Sequence, residues 1–381
     1  MKQTTMLLPE FKTAPAVFVV KKNYQIIVPV KSNLLFWVTV NGKKYYDNSN
    51  GVLRSSVRVH RVNVPMTELD KAKEYIVSYR KIIDRKPYFP QTEPEVSATY
   101  AFKPLNEDEN INIYHLSDTH GNFEKAALAG KYFDDNIDLL VLNGDIPDHS
   151  GSIENFDLIF KLCEAITQGS KPCVFSRGNH DTRGFFAENI AEYSPTDNGH
   201  SYYSFRLGKL WGIVLDCGED KDDSHDEYGH TVCCHDFRIE QTEYLKSIIS
   251  DAEHEYNEKG VEHRIVIVHN PFSFSAPAPF DIEKELYKEW LTLLGENICP
   301  DIMLSGHLHA VTVSNIGGKL DSLGQICPVV IGSKPVRGKD GVVCDFIGTA
   351  ITIEKNSINI AFTNSNKSVV ESHVIKLNKT I

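Results

Sequence analysis

Asp118 and His120 lie two residues apart in the stretch Leu116-Ser-Asp118-Thr-His120. The apolar run Ile111–Leu116 before them reads as a buried strand. Residues two apart in an extended segment face the same side. A carboxylate oxygen and a ring nitrogen held in that way suit a borderline metal such as zinc, manganese or iron. Asp-x-His alone is common by chance, so the remaining ligands have to come from elsewhere. Four more groups qualify, each at the end of an apolar run. Gly144-Asp145 follows Leu139–Asn143, and Arg177-Gly178-Asn179-His180-Asp181 follows Cys173–Ser176. His269-Asn270-Pro271 follows Arg264–Val268, and Gly306-His307-Leu308-His309 follows Asp301–Ser305.

The elements that must position these groups are strands alternating with amphipathic helices. Further strands are expected at Leu210–Leu215 and Pro328–Gly332, and helices at Glu124–Phe133, Ile153–Thr167, Gln241–Tyr256 and Ile282–Leu294. In the third helix Leu245, Ile248, Ile249, Ala252 and Tyr256 share one face. Such alternation implies a layered α/β domain whose ligands collect at the strand C-terminal ends. The tail Ala350–Lys379 returns to strand-like alternation. Residues 14–103 read as β only: short β-branched and aromatic runs separated by turn signals, with Asn41-Gly42 as a hairpin turn. Leu69 and Tyr75, followed by Val77 and Tyr79, suggest the tyrosine corner of a fibronectin-III-like sandwich, with any small antiparallel sandwich as the alternative. Lys86–Pro104 is Pro-rich and charged, a linker or an edge strand. The expected organisation is therefore an all-β sandwich over residues 1–105 and an α/β domain over 106–381.

The ordered set D-x-H, G-D, G-N-H-D, His and G-H-x-H resembles the calcineurin-like metallophosphoesterase superfamily over about residues 111–310. The resemblance implies a β-sandwich flanked by helices and a site for two divalent or mixed-valence metal ions. It implies that Asp118, His120 and His309 hold one ion, that Asn179, His269 and His307 hold the other, and that Asp145 bridges them. Nitrogen and oxygen donors without thiolate fit Mn, Fe, Zn or Ni better than Mg or Ca. The implied reaction is attack of a metal-bridging hydroxide on a small phosphomonoester or phosphodiester. His180 corresponds to the family's catalytic His and would protonate the leaving alkoxide. Asp148, in Gly144-Asp-Ile-Pro-Asp148-His149, matches the carboxylate that orients this His in the phosphoprotein phosphatases. His149 stands where that branch has its phosphate-binding Arg, which disfavours a phosphoprotein substrate. The sandwich in front instead resembles the purple acid phosphatases, but Asp148 occupies the place of their Tyr ligand and His120 that of a Gly. A purple ferric site is therefore not expected.

Bulk properties narrow the partners. A formal charge of -11 argues against non-specific nucleic-acid binding. No stretch approaches the ~20 apolar residues of a membrane span. Met1–Pro9 does not read as a signal peptide, and the eight cysteines form no C-x-x-C pair. They are expected as reduced thiols of a cytoplasmic protein, with Cys163, Cys173, Cys217, Cys299, Cys327 and Cys344 as small core residues. Arg177 is expected in a structural ion pair rather than on phosphate, and His115 as a core residue with a bonded ring nitrogen. The acidic segment Cys217–Phe237 and the stretch Ser273–Phe280 lie where they could rim the site, the first as a lid or as a solvated loop. The readings from other classes are a catalytically silent binding or scaffold protein on the same fold, and a nuclease.

Overall fold

A computed structural model describes residues 7–377. Met1–Met6, which carry most of the N-terminal signal reading, and 378–381, at the end of the strand-like tail, lie outside the described residues. The architecture is mixed α/β, with two face-to-face sheets between helices. The first sheet carries the parallel strands Ile111–Leu116, Leu139–Asn143 and Pro172–Ser176. The second carries Leu210–Val214, His263–Ile267, Ile302–Ser305 and Val329–Ile331, also parallel. These strands are nearly all buried, as continuous apolar runs covered on both faces should be. Ile113, Val141, Val174, Ile265 and Leu304 meet in one core between the sheets.

Helices close the outer faces. Phe123–Gly130 and Asp157–Thr167 cover the first sheet, the latter burying Ile159, Phe160, Leu162, Cys163 and Ile166. Cys234–Ser250 and Lys284–Leu293 cover the second through Leu245, Ile248, Trp290 and Leu291. The third helix therefore begins seven residues before the expected Gln241. The Asp223 carboxylate accepts hydrogen bonds from the backbone N–H groups of Cys234 (3.0 Å) and His235 (2.9 Å), satisfying donors that the first helical turn leaves open. The carboxylate sits eleven residues before the first helical residue, out of reach of any local capping pattern.

The tail forms the antiparallel strands Val343–Ile353, Ser357–Asn364 and Val369–Lys376, joined to Ile111–Leu116. The region before residue 105 is all-β apart from the short helix Met66–Ala72. Asn41 and Gly42 both have positive φ, 48° and 78°, as the hairpin between Leu34–Val40 and Lys43–Tyr46 requires. Val96–Ala101 is the edge strand anticipated within the Pro-rich stretch. The tyrosine-corner bond is not made; Tyr75 Oη donates instead to the Gly169 carbonyl, 2.8 Å away.

The strands of this region divide between two sheets. Leu34–Val40, Lys43–Tyr46, Glu74–Asp84 and Val96–Ala101 form one. Ala16–Val20, Asn23–Pro29 and Val59–Pro65 extend the first sheet of the α/β part, with Val17 and Phe18 paired in parallel to Pro172 and Cys173. Alternation along Ala16–Val20 serves two cores: Val17 and Val19 face the one that runs between the sheets and on into the N-terminal strands, Ala16 and Phe18 the helix layer.

Among the described residues no helix is long and apolar enough to cross a membrane. All eight cysteines are free. Cys163, Cys173, Cys217 and Cys327 are buried as expected, but Cys299 and Cys344 are exposed. Cys299 falls in a left-handed turn that ends the helical stretch Leu294–Ile298, and Cys344 lies near the start of a strand whose first residues project beyond the core.

Candidate metal centre

The loops after Ile111–Leu116, Leu139–Asn143, Pro172–Ser176, His263–Ile267 and Ile302–Ser305 converge at one end of the two sheets. They are laced together through backbone. Asp118 N–H donates to the Gly144 carbonyl, His120 N–H to the Asp145 carbonyl, and Gly306 N–H to the His269 carbonyl. The His307 N–H reaches both oxygens of Asp118, at 3.0 and 3.1 Å. Asp118, His120, Asp145, His307 and His309 all have positive φ, between 43° and 65°. Non-glycine residues adopt this region at a cost of order 1 kcal/mol or more, and such strain gathers where side chains must be aimed.

Side chains from distant parts of the chain meet here. His120 Nε2 lies 3.0 Å from His309 Nε2, and His309 Nε2 lies 3.4 Å from Asp118 Oδ1. Asp118, His120 and His309 thus offer three donor atoms to one point. His269 Nε2 lies 3.2 Å from Asp145 Oδ2 and 3.8 Å from Asp118 Oδ1. His307 turns Nδ1 to Asn179 Oδ1, 3.0 Å away. Asp145 stands between the groups, with Oδ2 3.9 Å from His120 Nε2 on one side and against His269 on the other. All seven expected ligand residues are therefore brought to one place.

Whether metal ions fit can be judged from the donors themselves. His269 is buried, and its Nδ1 faces the Asn143 carbonyl at 2.7 Å, so in the neutral ring the lone pair lies on Nε2. That buried Nε2 has no hydrogen-bond partner and points at two buried carboxylates. Burial opposes a charge on His269, but Asp145 and Asp118 outweigh it and raise its pKa. Burial also raises Asp145, yet the surrounding imidazoles hold it well below the ordinary carboxylate value. Burial keeps Asp118 above its ordinary value. It pushes His120 and His307 down to about 4, neutral and ready as ligands. Two sunken carboxylates facing orphaned imidazole nitrogen are a cradle for positive charge, and the donor set fits divalent metal ions.

Two glycines make the approach possible. A Cβ on Gly178 would stand 2.3 Å from Asp145 Oδ1, and one on Gly306 2.6 Å from Asp118 Oδ2. At each glycine the carboxylate of an expected ligand residue occupies the space a side chain would fill.

His180 sits beside these residues, its ring 4.6 Å from that of His120 and edge-on to it. Its backbone N–H donates to Asp145 Oδ1 at 2.9 Å. Its Nδ1 meets the backbone carbonyl of Asp148 at 2.8 Å. The expected orienting carboxylate of Asp148 points elsewhere, Oδ1 lying 3.2 Å from His120 Nδ1. Asp148 is thus adjacent to both histidines, but through different atoms from those anticipated.

Several participants escaped the sequence reading. Asp181 is fully buried, and its Oδ2 accepts from Gly178 N–H (2.7 Å) and Asp145 N–H (3.1 Å), tying two ligand loops. Burial, with the Asp145 charge, pushes it up to about 7. Its place after His180 was the available signal. Glu219, from the acidic segment, is buried and its neighbour Asp220 partly so; Glu219 takes Arg183 at 2.9, 3.2 and 2.8 Å. Asp220 Oδ2 lies 3.7 Å from His307 Nε2. The first part of that segment is therefore pinned beside the centre, and its last residues are helix. Arg177 forms an ion pair with buried Asp216 at 2.7 Å, the structural role expected of it. His115 is buried with Nε2 bonded to Asn143 at 3.1 Å, also as expected.

The profile of the calcineurin-like phosphoesterase family matches residues 111–311, the stretch that holds every expected ligand residue. No curated protein matches the sequence. Among solved structures, the chain is similar to the purple acid phosphatase PPD1 of yellow lupin (Lupinus luteus) seeds. That match has a TM-score of 0.60 at 12% identity, over 96% of this chain and 74% of the other. It is also similar to PhoD, with a TM-score of 0.54 at 10% identity, over 97% of this chain and 90% of the other. Matches of that extent take in the N-terminal β region together with the α/β part, the arrangement of a purple acid phosphatase.

Proposed function

The chain belongs to the calcineurin-like phosphoesterase family and is a metal-dependent phosphoesterase; from that premise we propose that it hydrolyses a small phosphoester, using His180 as the acid. In this reading Asp118, His120 and His309 hold one ion, Asn179, His269 and His307 a second, and Asp145 serves both. Bound there, the ions would supply an activated water and neutralise charge on the phosphoryl oxygens.

The observation that carries the role of His180 is its bond to the Asp148 carbonyl. A carbonyl only accepts, so Nδ1 carries a proton and the ring orientation is set. Nε2 is left to hold a second proton and hand it to a leaving oxygen. The ring stands edge-on to His120, beside the ligand cluster, where a leaving group would depart.

The basic residues around the centre already have partners. Arg177 is paired with Asp216, Arg183 with Glu219, and Lys221 with Asp220 (3.0 Å) and Glu227 (2.9 Å). Among the described residues these three cations are already paired, so a singly charged phosphodiester suits the acidic rim better than a doubly charged monoester. Eight free cysteines support a cytoplasmic setting, where thiols stay reduced.

The test is turnover by Mn-loaded protein of p-nitrophenyl phosphate and bis(p-nitrophenyl) phosphate, before and after chelation. We expect hydrolysis of both that is lost on chelation, with kcat/KM higher for the diester. No turnover of either ester would end the hydrolase reading, and a higher value for the monoester would reverse the substrate preference.

A further inference from the structure

Beside the centre is a cavity of about 340 Å³ that its chemistry sets apart from the rest of the rim. Phe272, Phe274, Phe280, Ile282, Tyr287 and Leu308 give it an apolar lining. Asp220, Asn270 and His307 stand among these residues. His307 is an expected ligand residue, and Asn270 and Leu308 each directly follow one. The cavity and the metal centre are therefore continuous through His307.

The floor is rigid and the outer wall is not built for the core. Phe272 is 1% exposed and packs its ring 5.8 Å from Tyr287 and 5.5 Å from Trp290. Phe280, by contrast, is 41% exposed at the rim, with the Lys221 ammonium 4.9 Å from its ring centre. A large aromatic left half in water beside a concave apolar surface has contact area to offer an incoming group. A pocket of this size, mostly apolar with a few polar groups at one end, is the usual form of a small-molecule site. An apolar cavity of ~150 Å³ is already enough for benzene.

The cavity on the other flank is more acidic. It is lined by Arg183, Glu188, Glu219 and Glu227, with Arg183 held by Glu219. Phe185, Tyr228 and Val232 line it as well, so it differs from the first cavity in its carboxylates, which disfavour a phosphate there.

We propose that the cavity between Phe272 and Phe280 binds an apolar group, the size of an aromatic ring or larger, carried by the phosphoester. The assignment rests on the hydrolase reading, since it places the phosphoryl group against the ligand residues and the apolar group past His307. It makes the enzyme selective for hydrophobic phosphoesters over small polar ones such as glycerol or sugar phosphates.

The experiment compares binding of phenylphosphonate and methylphosphonate to the Mn-loaded protein by calorimetry, which needs no turnover. Phenylphosphonate is expected to bind at least about tenfold tighter. Phe280→Ser, at an exposed position, and Ala276→Trp, which fills the rim, should each reduce that ratio toward one. Equal affinities of the two phosphonates for the unmodified protein would overturn the assignment, whether or not esters are hydrolysed. A ratio unchanged in both variants would overturn it as well. A phenyl preference without turnover of any ester would instead count against hydrolysis and leave the apolar site standing.

Discussion

The imidazole of His180 is held by the backbone carbonyl of Asp148, 2.8 Å from Nδ1, while the carboxylate of the same residue faces His120. The two contacts can be separated by mutation. Asp148→Asn keeps the carbonyl, so kcat should fall by less than about tenfold. His180→Ala should lower kcat by about 10²- to 10⁴-fold, the range for loss of a general acid. Both variants should keep full metal content by elemental analysis. Loss of metal from His180→Ala would contradict the role given to it.

Asp145 lies against His269 and near His120, and its carboxylate supplies negative charge to both halves of the centre. Asp145→Asn should therefore release metal. Chelation of the unmodified protein should lower its unfolding free energy, by about 2.7 kcal/mol if the ion had been present at a hundred times its Kd. Thermal unfolding with and without chelator, beside metal analysis of the variant, checks both. An unchanged Tm on chelation would mean that metal is not held by the folded chain.

Gly178→Ala puts a methyl group 2.3 Å from Asp145 Oδ1. The carboxylate must move, and the bonds that Asp145 makes to His180 N–H and near His269 move with it. The expected result is a folded protein with weakened metal binding. Circular dichroism beside a metal titration separates this from simple unfolding.

Arg177 and Asp216 form an ion pair in which Asp216 is fully buried. Asp216→Ala would strand the guanidinium and should cost about 3–5 kcal/mol. Replacing both, as Arg177→Met with Asp216→Leu, should recover much of that loss in a denaturant titration. A double variant as unstable as the single one would show that the pair is doing more than neutralising itself.

The α/β part was legible because its signals are local. Continuous apolar runs mark buried strands, Leu139–Asn143 to the residue and Arg264–Val268 within one residue at each end, and the expected ligand residues follow at once in sequence. What stayed hidden depends on tertiary contact. Asp223 capping a helix, Tyr75 reaching Gly169, and Asp148 turning its carboxylate to His120 involve partners that spacing does not identify. Cys299 and Cys344 are exposed for the same reason, since apolar neighbours in sequence do not decide on which side of a surface a residue falls. The tie between Asp181 and the backbone of Asp145 and Gly178 exists only once two loops have met.

The parallel pairing of Ala16–Val20 with Pro172–Ser176 has a consequence for how the chain reaches its fold. On the ribosome, Ala16–Val20 has to wait for a neighbour some 155 residues later, roughly 10–30 s at ordinary elongation rates. In that interval Val17 and Phe18 lack the strand partner that Pro172 and Cys173 supply. Closing so long a loop is slow, and the unpaired edge is open to other strands meanwhile. Assembly of the enzyme is therefore gated by its middle, and nascent chains stalled before residue 172 are the ones that chaperones should be found holding.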